Sequence, residues 1–249
     1  GFEFETQQRT GMGDIDLDFF YEHTFNKEWM GELCVGLRFP TGGDQDKYGN
    51  PYKALLGNGE HFEIKLGGLL AYQPLTWMNV KADASWNFVL EGVEHRMGVF
   101  KGSTIKNFGP YDDKIGHKAD ADVDWGYFRG HLDFTFFHPK TSDVRTTLGY
   151  ELYYKTEDHL TYKTPKMQPW YGGTFSGGVG GHDLDKTVLA ELDSNLARKN
   201  TESIAHKFRF ESSYQFMKYA EVFVGASATF AGQNVMRDRD ANLGFNVRF

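Results

Sequence analysis

The chain has 249 residues, a formal net charge of −7 and a pI near 5.7, and this acidic balance argues against a nucleic-acid partner. Its single cysteine, Cys34, excludes an intramolecular disulfide framework. No apolar run is long enough for a transmembrane helix. A mean hydropathy of −0.54 with 16% aromatic residues nevertheless suits strands that turn only alternate residues toward lipid.

Apolar residues recur at every second position in one segment after another, which is the pattern of β-strands with one apolar and one polar face. The first segment is short, with Phe2 and Phe4 set against Glu3 and Glu5. The chain begins at Gly1 without a recognisable signal peptide, so it reads as processed or trimmed, and a longer N-terminus would predict twelve strands. As it stands, the pattern predicts about ten strands, at residues 1–7, 15–25, 33–39, 62–72, 80–91, 128–136, 144–155, 207–216, 220–230 and 241–249.

The sixth of these strands changes phase along its length. Its later part places Phe128 and Leu132 on the apolar face, whereas Val123 and Trp125 before them fall on the other face. This change predicts either a β-bulge or a stretch that lies beyond the membrane.

The final strand alternates most strictly and ends on Phe249. A terminal strand of this kind resembles the closing strand of bacterial outer-membrane β-barrels, where it pairs with the first strand. The alternative is the edge strand of a soluble β-sandwich.

The connections separate these two classes, because they alternate between short and long. Short ones are predicted at 26–29, 73–78, 138–142 and 217–219, and long ones near 44–60, 95–121 and 158–202. This is the layout of an outer-membrane barrel with periplasmic turns and extracellular loops. The polar faces also carry full charges, which a dry sandwich core would bury at a cost of several kcal/mol each. The sequence therefore predicts an all-β chain, one domain over residues 1–249, folded as an up-and-down antiparallel transmembrane β-barrel.

Three glycine-based motifs follow one another in the first part of the chain. Thr10-Gly-Met-Gly-Asp14 precedes a strand, Phe39-Pro-Thr-Gly42 ends the next one, and Leu56-Gly-Asn-Gly59 opens the strand after the loop. Their order over residues 10–90 resembles the outer-membrane transporter family associated with the meta-pathway of phenol degradation. The resemblance implies a barrel that passes small, often hydrophobic or aromatic, molecules, and it implies no catalytic residues.

Charged side chains on the polar faces are the candidate lumen lining. The early strands carry an acidic group and the late strands a basic group, so barrel closure would bring opposite charges together across the lumen. Two interpretations stay open: ion pairs that fill a narrow bore, or a charged constriction that selects permeants. The candidates are Asp14, Asp16, Asp18, Glu32, Arg38, Glu63, Lys65, Lys81, Asp83, Arg129, His131, Asp133, Arg145, Glu151, Lys207, Arg209, Glu211 and Arg248.

Some residues give weaker signals. His23 and His206 fall on apolar faces, and Cys34 points into the lumen, where we expect it to be inert. Residues 44–50 begin like a calcium loop but lack its closing acidic ligand, so they predict a solvated turn.

Two further features concern the membrane and the loops. Trp29, Trp77 and Tyr219 lie at short turns, as in an interfacial aromatic girdle. The segment 158–202, with a predicted helix near 185–198, is long enough to act as an inward gate or as a surface for a partner.

These observations lead us to expect a passive channel or transporter for small molecules in the bacterial outer membrane, with no enzymatic activity, no cofactor and no metal. Its partners would be the lipid bilayer and a small-molecule permeant. The alternative is a structural barrel whose lumen is plugged and whose long loops bind a protein in an envelope complex. A third hypothesis is a hydrolase that uses His131 and Asp133, but the sequence has no Ser or Cys nucleophile at a spacing that fits this pair.

Overall fold

The structure is a computed structural model that describes residues 13–42, 58–98, 117–138, 143–163, 192–235 and 237–247. These residues form one antiparallel sheet and one five-residue helix, α1 (Ser194–Arg198). None of the helical residues described is in a segment long and apolar enough to cross a membrane. The strands are β1 (Ile15–Thr24), β2 (Trp29–Phe39), β3 (Glu63–Leu75), β4 (Met78–Gly98), β5 (His117–Phe137), β6 (Val144–Lys155), β7 (His159–Tyr162), β8 (Ser203–Met217), β9 (Ala220–Gln233) and β10 (Arg239–Val247).

The strands run up and down in chain order, as predicted. The order is β1-β2-β3-β4-β5-β6-β8-β9-β10, and β7 adds a short side pairing to β5. Nine of the predicted strands are confirmed, β7 was not predicted, and the predicted strand at 1–7 lies outside the described residues. Within the described ranges no pairing joins β1 to β10, so the sheet is not closed into a barrel.

Burial on the two faces of the sheet is the reverse of that in a water-soluble sheet. On the face that we call outer, Leu33 is 69% exposed and Leu243 is 79% exposed. On the opposite, inner face, Glu63 is 4% exposed and Asn87 is 2% exposed. The period-two alternation of the sequence therefore places its apolar residues outward and its charges inward.

The fourth and fifth strands are longer than predicted. β4 and β5 each span 21 residues, so residues 95–98 and 117–121, predicted as loop, belong to strands. The predicted bulge exists, but the extra residue is in β4 rather than in β5, because the register shifts between Val89 and Gly92 opposite Trp125 and Val123. We call the paired part of β4 and β5 beyond this bulge the arm.

An apolar cluster explains the change of phase in β5. On the β5 side of the arm, small and apolar residues occupy the inner face instead of charges, and they pack against β7 and Leu192, which lies two residues before α1. Val123 is fully buried and Leu160 is 1% exposed. The members are Ala119, Ala121, Val123, Leu160, Tyr162 and Leu192. The predicted helix near 185–198 is confirmed only as α1, and residues 164–191 lie outside the described residues.

The three glycine-based motifs meet at one carboxylate. Asp14 accepts hydrogen bonds from the backbone N–H of Gly42, at 2.9 Å, and of Asn58, at 2.7 Å. The Thr41 hydroxyl donates to the Gly13 carbonyl. Gly59 has a φ of 83°, which favours glycine. Asp14 thus joins the start of β1 to the end of β2 and to the approach to β3, and residues 10–12, 56 and 57 of these motifs lie outside the described residues.

Gly92, at the bulge, gives room to a buried ring. A Cβ atom there would lie 2.8 Å from Nδ1 of His61, whose side chain is fully buried. Because both ring nitrogens of His61 are held by hydrogen bonds, to the Leu90 carbonyl and to Glu94, the ring cannot move aside without losing one.

We therefore predict that Gly92→Ala lowers the free energy of unfolding by about 1–3 kcal/mol, the cost of leaving a buried polar group without its partner. Urea unfolding followed by tryptophan fluorescence would measure it. Val93→Ala is the matched control, since Val93 is 41% exposed on the opposite face, and it should change stability much less. Equal effects of the two substitutions would contradict the packing described here.

Candidate functional site

The inner face gathers the predicted lumen residues. The register aligns them in rows across neighbouring strands, for example Lys65 opposite Asn87 and His131 opposite Glu151. Arg248 lies outside the described residues, and Asp14 precedes β1 at the junction already described. The residues placed on this one face are Asp16, Asp18, Glu32, Arg38, Glu63, Lys65, Lys81, Asp83, Arg129, His131, Asp133, Arg145, Glu151, Lys207, Arg209 and Glu211.

The first group of ion pairs lies on β1 to β3. Arg38 binds both oxygens of Asp16, with Nε–Oδ1 at 2.6 Å and Nη2–Oδ2 at 2.9 Å. Its other nitrogen reaches Glu63 at 3.3 Å, and Glu63 also accepts a short hydrogen bond from the Tyr127 hydroxyl. One guanidinium thus serves two carboxylates on the strands either side of it.

A second pair in this group depends on a glycine. Lys65 Nζ lies 2.6 Å from Asp18 Oδ1, across the position of Gly36. A Cβ atom on Gly36 would be 2.2 Å from that Asp18 oxygen and 2.7 Å from Lys65 Cε. Glycine is needed here because the two charged side chains meet directly over its backbone.

His131 forms the middle of the inner face. Its Nδ1 lies 2.7 Å from Asp83 Oδ1 on β4, and its Nε2 lies 3.6 Å from Glu151 Oε2 on β6. The sequence had paired His131 with Asp133 two residues away. In the structure they project from the same strand side by side, and the cross-strand carboxylates are the partners instead.

The third group lies on β6 to β10. Arg145 donates to both oxygens of Glu221 at 3.0 Å and to the Ser213 hydroxyl at 2.7 Å. Lys207 lies 2.6 Å from Asp238 and 3.3 Å from Asp240. The hydrogen bond from Lys207 holds the pKa of Asp238 near 2.

The pairing across the lumen that the sequence suggested does not occur among the described residues. The early acidic residues Asp16 and Asp18 pair with cations on β2 and β3, and the late cations Arg145 and Lys207 pair with carboxylates on β9 and beside β10. Asp16 and Arg38 lie directly opposite each other on adjacent strands, and the other three pairs reach across one intervening strand.

Two cavities open on the inner face. The first has a volume of about 200 Å³ and is bounded by residues of β1 to β5, including Arg38, Lys65, Arg129 and His131. The second has a volume of about 310 Å³ and is bounded by β4 to β10, including Asp133. His131 belongs to the first, so its bridge to Asp83 and Glu151 separates the two.

Five of the predicted residues on this face have no ion pair among the described residues: Glu32, Arg129, Asp133, Arg209 and Glu211. Arg129 has the Tyr127 ring 5.2 Å from its guanidinium carbon. Asp133 keeps Oδ1 out of contact with water and without a hydrogen bond, and it leans over Gly149, where a Cβ atom would be 2.2 Å away. Arg209 and Glu211 border the same cavity as Asp133. The first cavity is therefore bordered by one cation without an ion pair, and the second by one cation and two carboxylates without ion pairs.

A second cluster of charges lies in the arm, outside the band of outward apolar residues. Glu94 lies between His61 Nε2, at 2.9 Å, and Arg96 Nε, at 2.5 Å. Arg96 also reaches Asp158 at 3.3 Å, and Lys155 binds the other oxygen of Asp158. This cluster ties β4 to the residues just before β7.

The geometry makes His61 an imidazolium. Its Nδ1 faces the Leu90 carbonyl and its Nε2 faces the Glu94 carboxylate, and since neither acceptor has a proton to give, both nitrogens must donate. Burial acts to lower the pKa of His61, but the bonds to Glu94 and Leu90 outweigh it and the pKa is raised. Burial acts to raise the pKa of Glu94, and His61 and Arg96 reverse this, so its pKa is lowered.

The residues that gave weaker signals in the sequence have packing or hydrogen-bonding roles where the structure describes them. His23 packs beside Tyr21 and Phe25, His206 hydrogen-bonds the Tyr150 hydroxyl at 2.6 Å, and Cys34 is a half-buried free thiol on the inner face. Residues 44–50, read as a solvated turn, lie outside the described residues. Among those described, no group of three or more His, Cys, Asp or Glu side chains is arranged to hold a metal ion.

Sequence reasoning missed the residues of the arm and the aromatic neighbours of the charges. Glu94 and Arg96 lie beyond residue 91, where the predicted strand ended, and the bulge between Val89 and Gly92 shifts the period-two pattern before it reaches them. Tyr127 was not singled out, although counting back by two from Arg129 places it on the same face.

Comparisons with known proteins add no relative. No protein-family model matches this chain, and no curated protein matches it.

The charge cluster around His61 and Glu94 predicts that the stability of the fold depends on pH. The folded pKa of His61 is raised above its ordinary value of 6.5, so its contribution is complete below about pH 6.5 and is lost as pH rises through the folded pKa. The folded pKa of Glu94 is lowered below 4.5, so its contribution is complete above that value and is lost as pH falls through the folded pKa. Urea unfolding at pH 5.5 and 8.5 should show a fall in stability toward pH 8.5 that is smaller in His61→Gln. The same fall in both proteins would contradict a charged His61.

Proposed function

We propose that the protein is a bacterial outer-membrane β-barrel that acts as a passive channel for small molecules. The observation that carries the proposal is the reversed burial of the sheet. In water, side chains such as Leu33 and Leu243 would expose large apolar areas along every strand. Lipid around the outer face removes the cost of exposing apolar side chains to water, and water along the inner face removes the cost of burying charges.

Strand direction supports closure through one further strand. β1 and β10 are separated by seven strands along the path, so they run in the same direction and cannot pair antiparallel with each other. A strand at residues 1–7, predicted from the sequence and outside the described residues, would run opposite to both. With it the barrel has ten strands, the even number usual for bacterial outer-membrane barrels.

Aromatic side chains at the short turns support a membrane boundary there. Trp29 stacks on Tyr72 with ring centroids 4.2 Å apart, and Trp77 stacks on Phe136 at 6.4 Å. Tyr219, at the turn between β8 and β9, is 57% exposed. Aromatic rings in this position are typical of the interfacial girdle of a transmembrane barrel.

The inner face supports passage rather than chemistry. Its side chains are mostly paired charges around two cavities, and in the proposed channel the bridge of Asp83, His131 and Glu151 between these cavities acts as the constriction. Rings of charged side chains of this kind select permeants by charge and size. The resemblance to the outer-membrane transporter family of the meta-pathway of phenol degradation belongs to the same proposal, and the meeting of its motifs at Asp14 makes them one structural unit.

Substitutions of two neighbouring leucines on β3 test whether the outer face contacts lipid. Leu70 is 45% exposed on the outer face, whereas Leu69 faces inward between Glu32 and Asp83. In a bilayer, Leu70→Arg should cost about 2–4 kcal/mol of folding stability, and Leu69→Arg should cost clearly less because both neighbours are carboxylates. Urea unfolding in lipid vesicles would measure both. If Leu70→Arg is the milder substitution, the outer face does not contact lipid.

His131 tests the channel. In planar bilayers, the purified chain should show a steady single-channel conductance, and His131→Ala should raise it by opening the constriction. Thr135→Ala is the matched control, because Thr135 lies four residues away on the same face and bonds only Thr147, and it should leave conductance nearly unchanged. A conducting chain whose conductance is unaffected by His131→Ala would place the constriction elsewhere.

One observation favours the plugged barrel as the second candidate: most inner charges are already paired. In that case the folded chain is silent in bilayers, and deletion of residues 164–191 abolishes capture of an envelope protein. A silent chain that keeps its partner after this deletion would exclude the loop as the binding surface.

A further inference from the structure

We propose that Arg129 and Ser85 form a binding site for a small carboxylate on the inner face. The inference deepens the channel proposal, since it names the chemical class of a permeant, and it rests on that proposal only for the permeation step. The site borders the cavity of about 200 Å³ between β1 and β5.

The free charge in this cavity belongs to Arg129. The three carboxylates that border it are already held: Asp16 and Glu63 by Arg38, and Asp18 by Lys65. Arg129 projects from β5 beside them, and no carboxylate among the described residues lies within ion-pair distance of it. Its one contact is the ring of Tyr127, and Tyr127 is in turn fixed by its bond to Glu63.

Tyr127 holds the guanidinium in place without neutralising it. A guanidinium over an aromatic face is attracted to the ring and keeps all of its N–H donors. The planar fork of those donors matches the two oxygens of a carboxylate. Arg129 is therefore held in one position and is still available to bind a carboxylate.

Ser85 supplies the second donor. It lies directly opposite Arg129 across the β4–β5 pair, and its hydroxyl oxygen accepts a hydrogen bond from the Asn87 amide at 3.3 Å. Because the oxygen is used as an acceptor, the hydroxyl proton is left to donate into the cavity. Asn87 is 2% exposed, so it fixes this orientation from beneath.

The size and the surroundings favour a small monocarboxylate. A cavity of about 200 Å³ admits a few heavy atoms besides the carboxylate group. Glu63 and Asp16, which also border the cavity, would repel a second negative charge that extends toward them. A monocarboxylate with a short neutral tail satisfies both conditions.

Binding of propionate to the full chain in detergent micelles tests the site, measured by saturation-transfer NMR. Arg129→Gln should weaken binding about tenfold or more, as expected for the loss of charge-assisted hydrogen bonds, and Ser85→Ala should weaken it by less. Arg145→Gln makes the same change of charge on the same face, outside the cavity, and should leave binding as in the wild type. Propionamide, the neutral isostere, should not bind.

Equal binding of propionate to the wild type and to Arg129→Gln would overturn the site, as would equal binding of propionamide. Conductance and propionate binding, measured on the same chain, separate this inference from the channel proposal. A chain that is silent in bilayers but binds propionate through Arg129 keeps the site and loses the channel. A chain that conducts but shows no propionate binding keeps the channel and loses the site.

Discussion

The structure depends on which face of the sheet meets water. Along β4, the inward positions hold Lys81, Asp83 and Asn87, and the outward positions hold Phe88 and Leu90. In a soluble sheet the apolar face would pack on a core and the charged face would lie in solvent. Here Asn87 is 2% exposed whereas Phe88 and Leu90 are 43% and 41% exposed, and Asp83 is paired with His131 on the neighbouring strand. This arrangement is the basis for proposing an apolar surrounding outside the sheet and polar contacts inside it.

The ion pairs of the inner face join neighbouring strands, and among the described residues they leave few charged side chains free to bind a ligand. Where a carboxylate on this face is paired, its cation lies one or two strands away, as Arg38 does from Asp16 and Arg145 from Glu221. Partly exposed pairs of this kind add little stability individually. Their effect is geometric, since each pair ties together side chains of neighbouring strands. In the proposed channel, charge for a solute would be left only where a residue has no partner.

The sequence predicted the strands well because alternation is a local property that needs only one face to be apolar. It failed at the arm, where β5 carries Ala121 and Val123 on its inner face because β7 and Leu192 cover them there. No local pattern shows such a change of surroundings. The partners of His131 were also beyond the sequence, since a cross-strand contact depends on register and a shift of one residue replaces every partner. The alternation did predict that these charged residues share one face of the sheet, and the pairing within that face was what the sequence could not show.

Three consecutive inward positions of β5 bring these points together. Arg129 has no carboxylate, His131 is bridged to β4 and β6, and Asp133 has no cation. Successive inward residues of a strand are about 6.6 Å apart, so a guanidinium and a carboxylate without ion pairs lie on either side of the bridged histidine. β5 runs from the arm toward a short turn, so in the channel that we propose a solute entering from the side of the arm would meet Arg129 before His131 and Asp133 after it. Arg209 and Glu211 border the same cavity as Asp133. The proposed channel would therefore offer a carboxylate one cation before the bridge and charges of both signs beyond it.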